Sequence, residues 1–289
     1  MLRLAVRVAR PHAELVLAEL LELAPGGVEE VDVDPGTVEY AVYGAPGELP
    51  ELPALRAAAG GALVSEITSE VADDWAERWR AFHRPLVIET AAPGARPRLT
   101  VRPPWEPPPA DGLDVVIDPG RAFGTGAHAT TALCLELLLD DAARTAALDS
   151  RRALGSCVDL GCGSGVLGIV AARLGYGPVV ALDHDPLAVA ATAENTARNG
   201  VSPELLHVRR FDLRTEQVPA ADLVLANVLA GPLLGWAESQ RRLPARLVLS
   251  GLLAGEADRV AAAYARRGMR EAERRVRGDW AALALAAAT

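Results

Sequence analysis

With 289 residues, half of them apolar, the chain can build two domains with sizeable cores and reads as an ordinary soluble protein. No stretch approaches the ~18 continuous apolar residues of a membrane span, and three cysteines, Cys134, Cys157 and Cys162, are too few for a disulfide framework or a metal site, which favours a reducing cytoplasm. Residues 1–70 hold −8 of the net charge of −9, a field that attracts basic partners and repels nucleic acid, or else only aids solubility.

Residues 2–8 alternate apolar and polar, with Arg3 and Arg7 inside the pattern, and predict a strand rather than a signal peptide. A helical spacing follows over 12–23, ending at Pro25-Gly26-Gly27. Residues 28–33 and 37–43 flank Asp34-Pro35-Gly36 as a hairpin, 51–59 can form a helix, and 62–68 another strand. This β-α-β-β-α-β order predicts a small ferredoxin-like α+β sandwich over residues 1–70, which by itself says little about activity. Residues 71–85 place Trp75 and Trp79 on one face of a linking helix, where they anchor it on a neighbouring domain or stack on a ligand. Prolines at 103, 104, 107, 108 and 109 mark a stiff loop around Trp105.

A strand over 115–118 runs into Gly120-Arg121-Ala122-Phe123-Gly124-Thr125-Gly126-Ala127-His128, and a helix is expected from 132 to 139. Glycines and threonines at a helix start suit a loop wrapped around a polar ligand, with Phe123 covering it. Alternatively Thr130 or Thr131 caps the helix and His128 only hydrogen-bonds in the turn. Residues 157–160 then form a strand that stops at Gly161, Gly163 and Gly165, and apolar residues from Val166 to Leu174 recur at helical spacing. That strand-to-helix turn lets a ligand approach the backbone closely. The next strand, 179–183, ends in Asp183, which grips ribose hydroxyls or caps the following helix. His184 reads as an exposed turn residue. Strands at 205–210, 222–226 and 246–250 follow, with Phe211-Asp212-Leu213 at the level of an adenine-type ring and Asn227 at the carboxyl edge of the sheet. A helix over 254–267 and a hairpin of 269–277 with 280–287 complete a Rossmann-like α/β domain.

Two templates fit the glycine turn. Gly163, Gly165 and Gly168 match G-x-G-x-x-G, with Asp183 at a spacing that holds a nicotinamide ribose. Asp159 and Gly161 ahead of it, and an asparagine after the fourth strand, instead resemble the S-adenosylmethionine-dependent methyltransferases. The resemblance narrows when other stretches are added: Asp118-Pro119-Gly120-Arg121-Ala122-Phe123-Gly124-Thr125-Gly126, His128, Thr130-Thr131, Asp183-His184-Asp185-Pro186, Asn195 with Asn199-Gly200-Val201, and Ala226-Asn227-Val228-Leu229-Ala230-Gly231-Pro232. Together they resemble the bacterial ribosomal-protein methyltransferases of the PrmA family, over almost the whole chain. Ala127 and Ala129 depart from the usual threonine and proline beside the histidine, and an insertion near 140–155 lengthens the connection to the glycine turn.

The resemblance implies a seven-stranded methyltransferase domain over 99–289, a linker helix and hinge over 71–98, and substrate recognition by the acidic domain of 1–70. It implies S-adenosylmethionine as cofactor, contacted by Thr131, Gly161, Gly163, Gly165, Asp183 and Asn227, with Phe123, Gly124, Thr125 and Gly126 as a lid. The expected reaction is in-line methyl transfer to a neutral lysine or N-terminal amine of a basic large-subunit ribosomal protein, by a monomer that binds neither membrane nor nucleic acid. A lysine amine, with a reference pKa of ~10.4, must lose its proton before attack. Asn227 and the carbonyl beside it can aim its lone pair, and His128 is the one nearby side chain worth testing as a base, the chain having no lysine. Asn227 is followed by Val228 and Leu229, not by the Asn-Pro-Pro-Tyr run common in enzymes that methylate planar nitrogens. An RNA methyltransferase, a nicotinamide-dependent reductase and a noncatalytic ribosome-binding module are the alternatives.

Overall fold

The computed structural model describes residues 2–13, 16–17, 20, 28–44, 61, 63–70, 84–89, 98–119, 128–148 and 153–288. The chain divides into two compact units, Met1–Phe82 and His83–Thr289. The predicted helix over 51–59, Trp75 and Trp79, and the lid residues Phe123, Gly124, Thr125 and Gly126 lie outside the described residues.

The first unit holds one antiparallel sheet of β1 (Leu2–Ala9), β2 (Glu29–Asp34), β3 (Thr37–Gly44) and β4 (Leu63–Glu70), in the order β2-β3-β1-β4. The strand alternation works as expected. Leu4, Val6 and Val8 face Val38, Tyr40 and Val42 on one side of the sheet, where the helical residues Ala13, Val16 and Leu20 complete a core. On the other side Arg3 and Arg7 both donate to the buried Glu39 carboxylate, Arg7 at 2.7 Å.

The second unit is built on a seven-stranded sheet: β8 (Cys157–Leu160), β9 (Val179–Asp183), β10 (Leu206–Arg210), β11 (Leu223–Asn227), β12 (Arg246–Leu253), β13 (Met269–Arg277) and β14 (Trp280–Ala287). Their order is β10-β9-β8-β11-β12-β14-β13, the first five parallel and β14 antiparallel to both its neighbours, β12 and β13. Successive residues of β11 supply opposite cores. Leu223 and Leu225 pack with Leu133, Leu137 and Ile169, whereas Val224 and Ala226 pack with Leu233, Trp236 and Tyr264. The central strands are therefore buried on both faces, as parallel sheets require. The first face carries α1 (Ala129–Leu148) and α2 (Val166–Leu174), the second α4 (Ala230–Ser239) and α5 (Ala257–Ala265), and α3 (Pro186–Arg198) packs on β9 and β10.

Several boundaries differ from the sequence-based expectation, three of them by more than a residue or two. Helix α1 begins at Ala129 and runs to Leu148 rather than from 132 to 139, because residues 140–148 supply good helix formers, so part of the apparent insertion lengthens the helix. Strand β12 continues past Ser250 to Leu253, with a register shift between Leu249 and Leu252 that accommodates Gly251. The expected helix over 254–267 is a 3-10 turn, Ala254–Glu256, followed by α5. The strand expected over 115–118 is found as β7 (Leu113–Val116), and the small sheet it joins was not anticipated: β5 (Leu86–Ile88) lies antiparallel to β6 (Leu99–Arg102), which is parallel to β7.

Candidate active site

The glycine turn is fixed from both sides. Gly161, Gly163 and Gly165 have φ of 74°, 53° and 83°, a region closed to most other residues. A Cβ on Gly161 would stand 2.4 Å from Val228 Cγ1, and one on Gly165 would stand 2.7 Å from Thr192 Cγ2. The Gly161 and Cys162 amides donate to the Leu182 carbonyl at 2.8 and 3.0 Å, so the turn hangs from the neighbouring strand β9. Beneath it, Asp159 is fully buried and its Oδ2 accepts from the Gly168 amide at 2.8 Å. Gly168, the last glycine of the dinucleotide pattern, thus has a packing reason of its own, since a Cβ there would press on that oxygen at 3.2 Å. Asp159 Oδ1 has no partner among the described residues. Burial pushes this carboxyl up to about 7, the Gly168 bond opposing and the nearby Asp183 charge adding to the shift.

Asp183 stands where the sequence places it, at the end of β9 and against the turn. Its Oδ2 accepts from the Gly163 amide at 2.9 Å and its Oδ1 from the Asp185 amide at 3.0 Å. The helix-cap alternative falls to another residue. Helix α3 is capped by Asp185, whose carboxylate accepts from Leu187 N at 2.9 Å, with Pro186 in the first turn. Asp183, its side chain 10% exposed, keeps acceptor capacity beyond its two backbone bonds, while His184 is 77% exposed. The buried Phe211 donates its amide to the Asp183 carbonyl at 2.7 Å, which puts the expected adenine-level position beside the acid.

Helix α3 contributes a set of polar groups whose part in the site sequence reasoning did not assign. Thr192 Oγ1 donates to the Gly163 carbonyl at 2.9 Å, and Asn195 Nδ2 donates to the Ser164 carbonyl at 2.9 Å. Asn195 Oδ1 accepts from Asp118 N at 3.1 Å, and Asn199 pairs with both backbone groups of Val116, at 2.8 and 2.7 Å. One helix face therefore ties the glycine turn to the segment that leads toward residue 120. The available signal was their spacing, 192, 195 and 199, which repeats at a helical period.

Across the sheet, Ala226 pairs with Leu160, so Asn227 comes level with Gly161. Asn227 Nδ2 donates to Thr131 Oγ1 at 3.2 Å, and Asn227 Oδ1 is buried without a partner among the described residues. Thr131 is fully buried in the first turn of α1. His128 lies just ahead, its Nδ1 2.7 Å from Thr130 Oγ1 and its ring edge-on to Trp280 at 4.8 Å; burial lowers its pKa. The structure thus brings Gly161, Gly163, Gly165 and Asp183 together, and separately joins Asn227 to Thr131 with His128 nearby.

The donor set suits a ligand rich in hydroxyl and amino groups: a carboxylate at a strand end, a glycine cradle, and two orphaned buried acceptors, Asp159 Oδ1 and Asn227 Oδ1. It offers no thiol nucleophile. The three cysteines are buried, and burial pushes each thiol well above its usual range. Among the described residues no cluster could hold a metal ion, and no helix is long and apolar enough to cross a membrane.

Comparison with known proteins gives a consistent result. Residues 56–288 match the family model described as ribosomal protein L11 methyltransferase (PrmA). The chain is 38% identical over 216 residues to a protein of that name from Heliobacterium modesticaldum, covering 73% of this chain and 63% of the relative. The Pelotomaculum thermopropionicum relative is likewise covered over 65% of its length, so this chain aligns with slightly less than two thirds of either. A Burkholderia ambifaria relative is 34% identical over 294 residues, 91% of this chain and 90% of its own length. The crystal structure of a ribosomal protein L11 methylase from Lactobacillus delbrueckii subsp. bulgaricus matches with a TM-score of 0.55 at 26% identity, over 66% of this chain and 95% of that one.

Proposed function

Because the chain belongs to the ribosomal protein L11 methyltransferase (PrmA) family, whose methyl donor is S-adenosylmethionine, we propose that it methylates lysine side-chain or N-terminal amino groups of that large-subunit protein. The observation that carries the reading is the Asn227 carboxamide. Its NH2 group is pinned on Thr131, so the buried acceptor that remains at the carboxyl end of β11 is aimed by that bond and waits for a donor. An amine N–H meets that need. In accepting it, Asn227 Oδ1 orients the nitrogen lone pair, and removal from water favours the neutral amine.

On this reading Asp183 accepts from the ribose hydroxyls, the turn of Gly161, Gly163 and Gly165 receives the amino-acid end of the cofactor, and Thr131 and Asn227 close the opposite wall. S-adenosylmethionine brings a methyl group already activated on a sulfonium, so the protein's share is placement and exclusion of water rather than general-base chemistry. Phe123, Gly124, Thr125 and Gly126 form the lid. Residues 1–70 form a ferredoxin-like recognition domain, a reading supported by the strand order β4-β1-β3-β2 and by the net charge of −8 in that stretch, which suits a basic protein substrate. Residues 71–98 serve as hinge and residues 99–289 as catalytic domain, in a monomer of the cytoplasm. The test is calorimetric titration with S-adenosylmethionine and, separately, with reduced nicotinamide dinucleotide. Binding of the first that weakens at least roughly tenfold in Asp183→Ala supports the reading, and binding of only the second refutes it.

A further inference from the structure

We propose that His128 acts as a positioning residue rather than as a base: its imidazole caps α1 and thereby sets the Thr131–Asn227 contact that aims the acceptor oxygen. The proposal rests on the methyltransferase reading given above. Residue 128 sits at the N-cap position, since its carbonyl accepts the first helical bond, from Ala132 N at 3.2 Å. Its side chain does what an asparagine or aspartate does there. Nδ1 accepts from the Thr130 amide at 3.3 Å and lies 2.7 Å from the Thr130 hydroxyl. An amide can donate only to a bare nitrogen, so Nδ1 carries no proton and the neutral ring holds its proton on Nε2. That nitrogen is then a donor and cannot receive a proton from an amine. A positive charge on the ring is opposed by the positive pole of the helix N-terminus it caps.

The cap is connected to the site by two short paths. In the same first turn, Thr131 Oγ1 accepts from Asn227 Nδ2 at 3.2 Å. The Thr130 carbonyl accepts from the buried Ser250 hydroxyl at 2.9 Å, and the Ser250 carbonyl accepts from Val228 N at 3.1 Å. The first turn of α1 therefore grips both Asn227 and the residue after it. Trp280, which pairs with Leu253 on β12, braces the ring at 4.8 Å with an interplanar angle of 73°. Unwinding that turn loosens Asn227 while leaving the Asp183 side of the site intact.

Asparagine can make the same cap and cannot act as a base, which separates the two roles. The chain of 289 residues and its His128→Asn and His128→Ala variants are assayed for methyl transfer from S-adenosylmethionine to purified ribosomal protein L11, with cofactor affinity measured in parallel. His128→Asn is expected to keep kcat within roughly threefold, and His128→Ala to lose roughly tenfold or more in kcat with cofactor affinity unchanged. Nitrogen-15 NMR of histidine-labelled wild type, assigned by difference from His128→Asn, is expected to show the tautomer protonated on Nε2. Equal loss of kcat in both variants, or a ring protonated on Nδ1, overturns the proposal. A wild-type protein that binds the cofactor and methylates nothing refutes the methyltransferase reading instead.

Discussion

Asp159 makes the stability of the ligand-free protein fall as pH rises, opposite to the usual behaviour of a carboxylate held by cations. Its folded pKa is about 7 against a reference of 3.8, chiefly because burial penalises the charged form. Below pH 3.8 both states are protonated and the group contributes nothing. Between the two values the unfolded chain has released the proton and the folded one has not, so the folded state binds more protons and stability declines with pH, levelling off above about 7. The rise from 3.8 to about 7 corresponds to roughly 4 kcal/mol lost across that window. Asp159→Asn retains an acceptor for the Gly168 amide and resembles the protonated carboxyl. Urea unfolding of both proteins from pH 5 to pH 8 should therefore show the variant gaining on the wild type as pH rises, toward a relative advantage of several kcal/mol. Parallel curves across that range would refute the assignment of a protonated buried carboxyl. A ligand that donates a hydrogen bond to Oδ1 favours the ionised form, so cofactor binding near pH 6.5 should release a fraction of a proton in wild type and none in Asp159→Asn, measured by calorimetry in buffers of different ionisation enthalpy.

Gly161→Ala forces a side chain into φ 74° and against Val228 at 2.4 Å, and should cost roughly 1–3 kcal/mol in unfolding while displacing the strand end that carries Asn227. Its loss of methyl transfer should exceed its loss of cofactor affinity. Arg246→Ala tests a purely structural network. Arg246 bonds Asp141 Oδ2 at 2.6 Å, Thr145 Oγ1 at 2.8 Å and the Leu154 carbonyl at 2.9 Å, and its removal leaves Asp141, 14% exposed, with Tyr176. Denaturant unfolding should show a loss of about 3–5 kcal/mol, and cofactor affinity of the folded fraction should not change. Asn195→Ala removes bonds to Ser164 and Asp118 from a buried position, and should lower both stability and cofactor affinity, the latter by roughly tenfold.

The seven-stranded sheet was legible because its central strands are short apolar runs, each ending at a glycine, an acid or an asparagine at the level of the site. The positions of Asp183 and Asn227 follow from that alone. Which of two acids caps α3 was not legible, since Asp183 and Asp185 both precede Pro186 and only the fold shows Asp185 bonded to Leu187 N and Asp183 turned to Gly163. The strand at 115–118 was legible and lies two residues earlier, as β7, but its partners β5 and β6 escaped notice because strands of three and four residues carry too few alternations to register as a period. The longer α1 escaped because Ala, Asp and Arg read equally well as a connection when no tertiary contact is known. In the sequence, Asn195 and Asn199 stand only among the residues that carry the family resemblance, with no structural role assigned. Their role depends on Asp118 and Val116, some eighty residues away, which no local pattern encodes.

The most direct test of the central claim is intact-mass measurement of ribosomal protein L11 after incubation with S-adenosylmethionine and either wild-type protein or Asn227→Ala. Methyl additions mapped to amino groups by the wild type, and slowed by at least roughly a hundredfold in the variant with cofactor binding retained, are the expected result. An unmodified L11 in the presence of a wild-type protein shown to bind the cofactor, or equal rates from the two proteins, would contradict it.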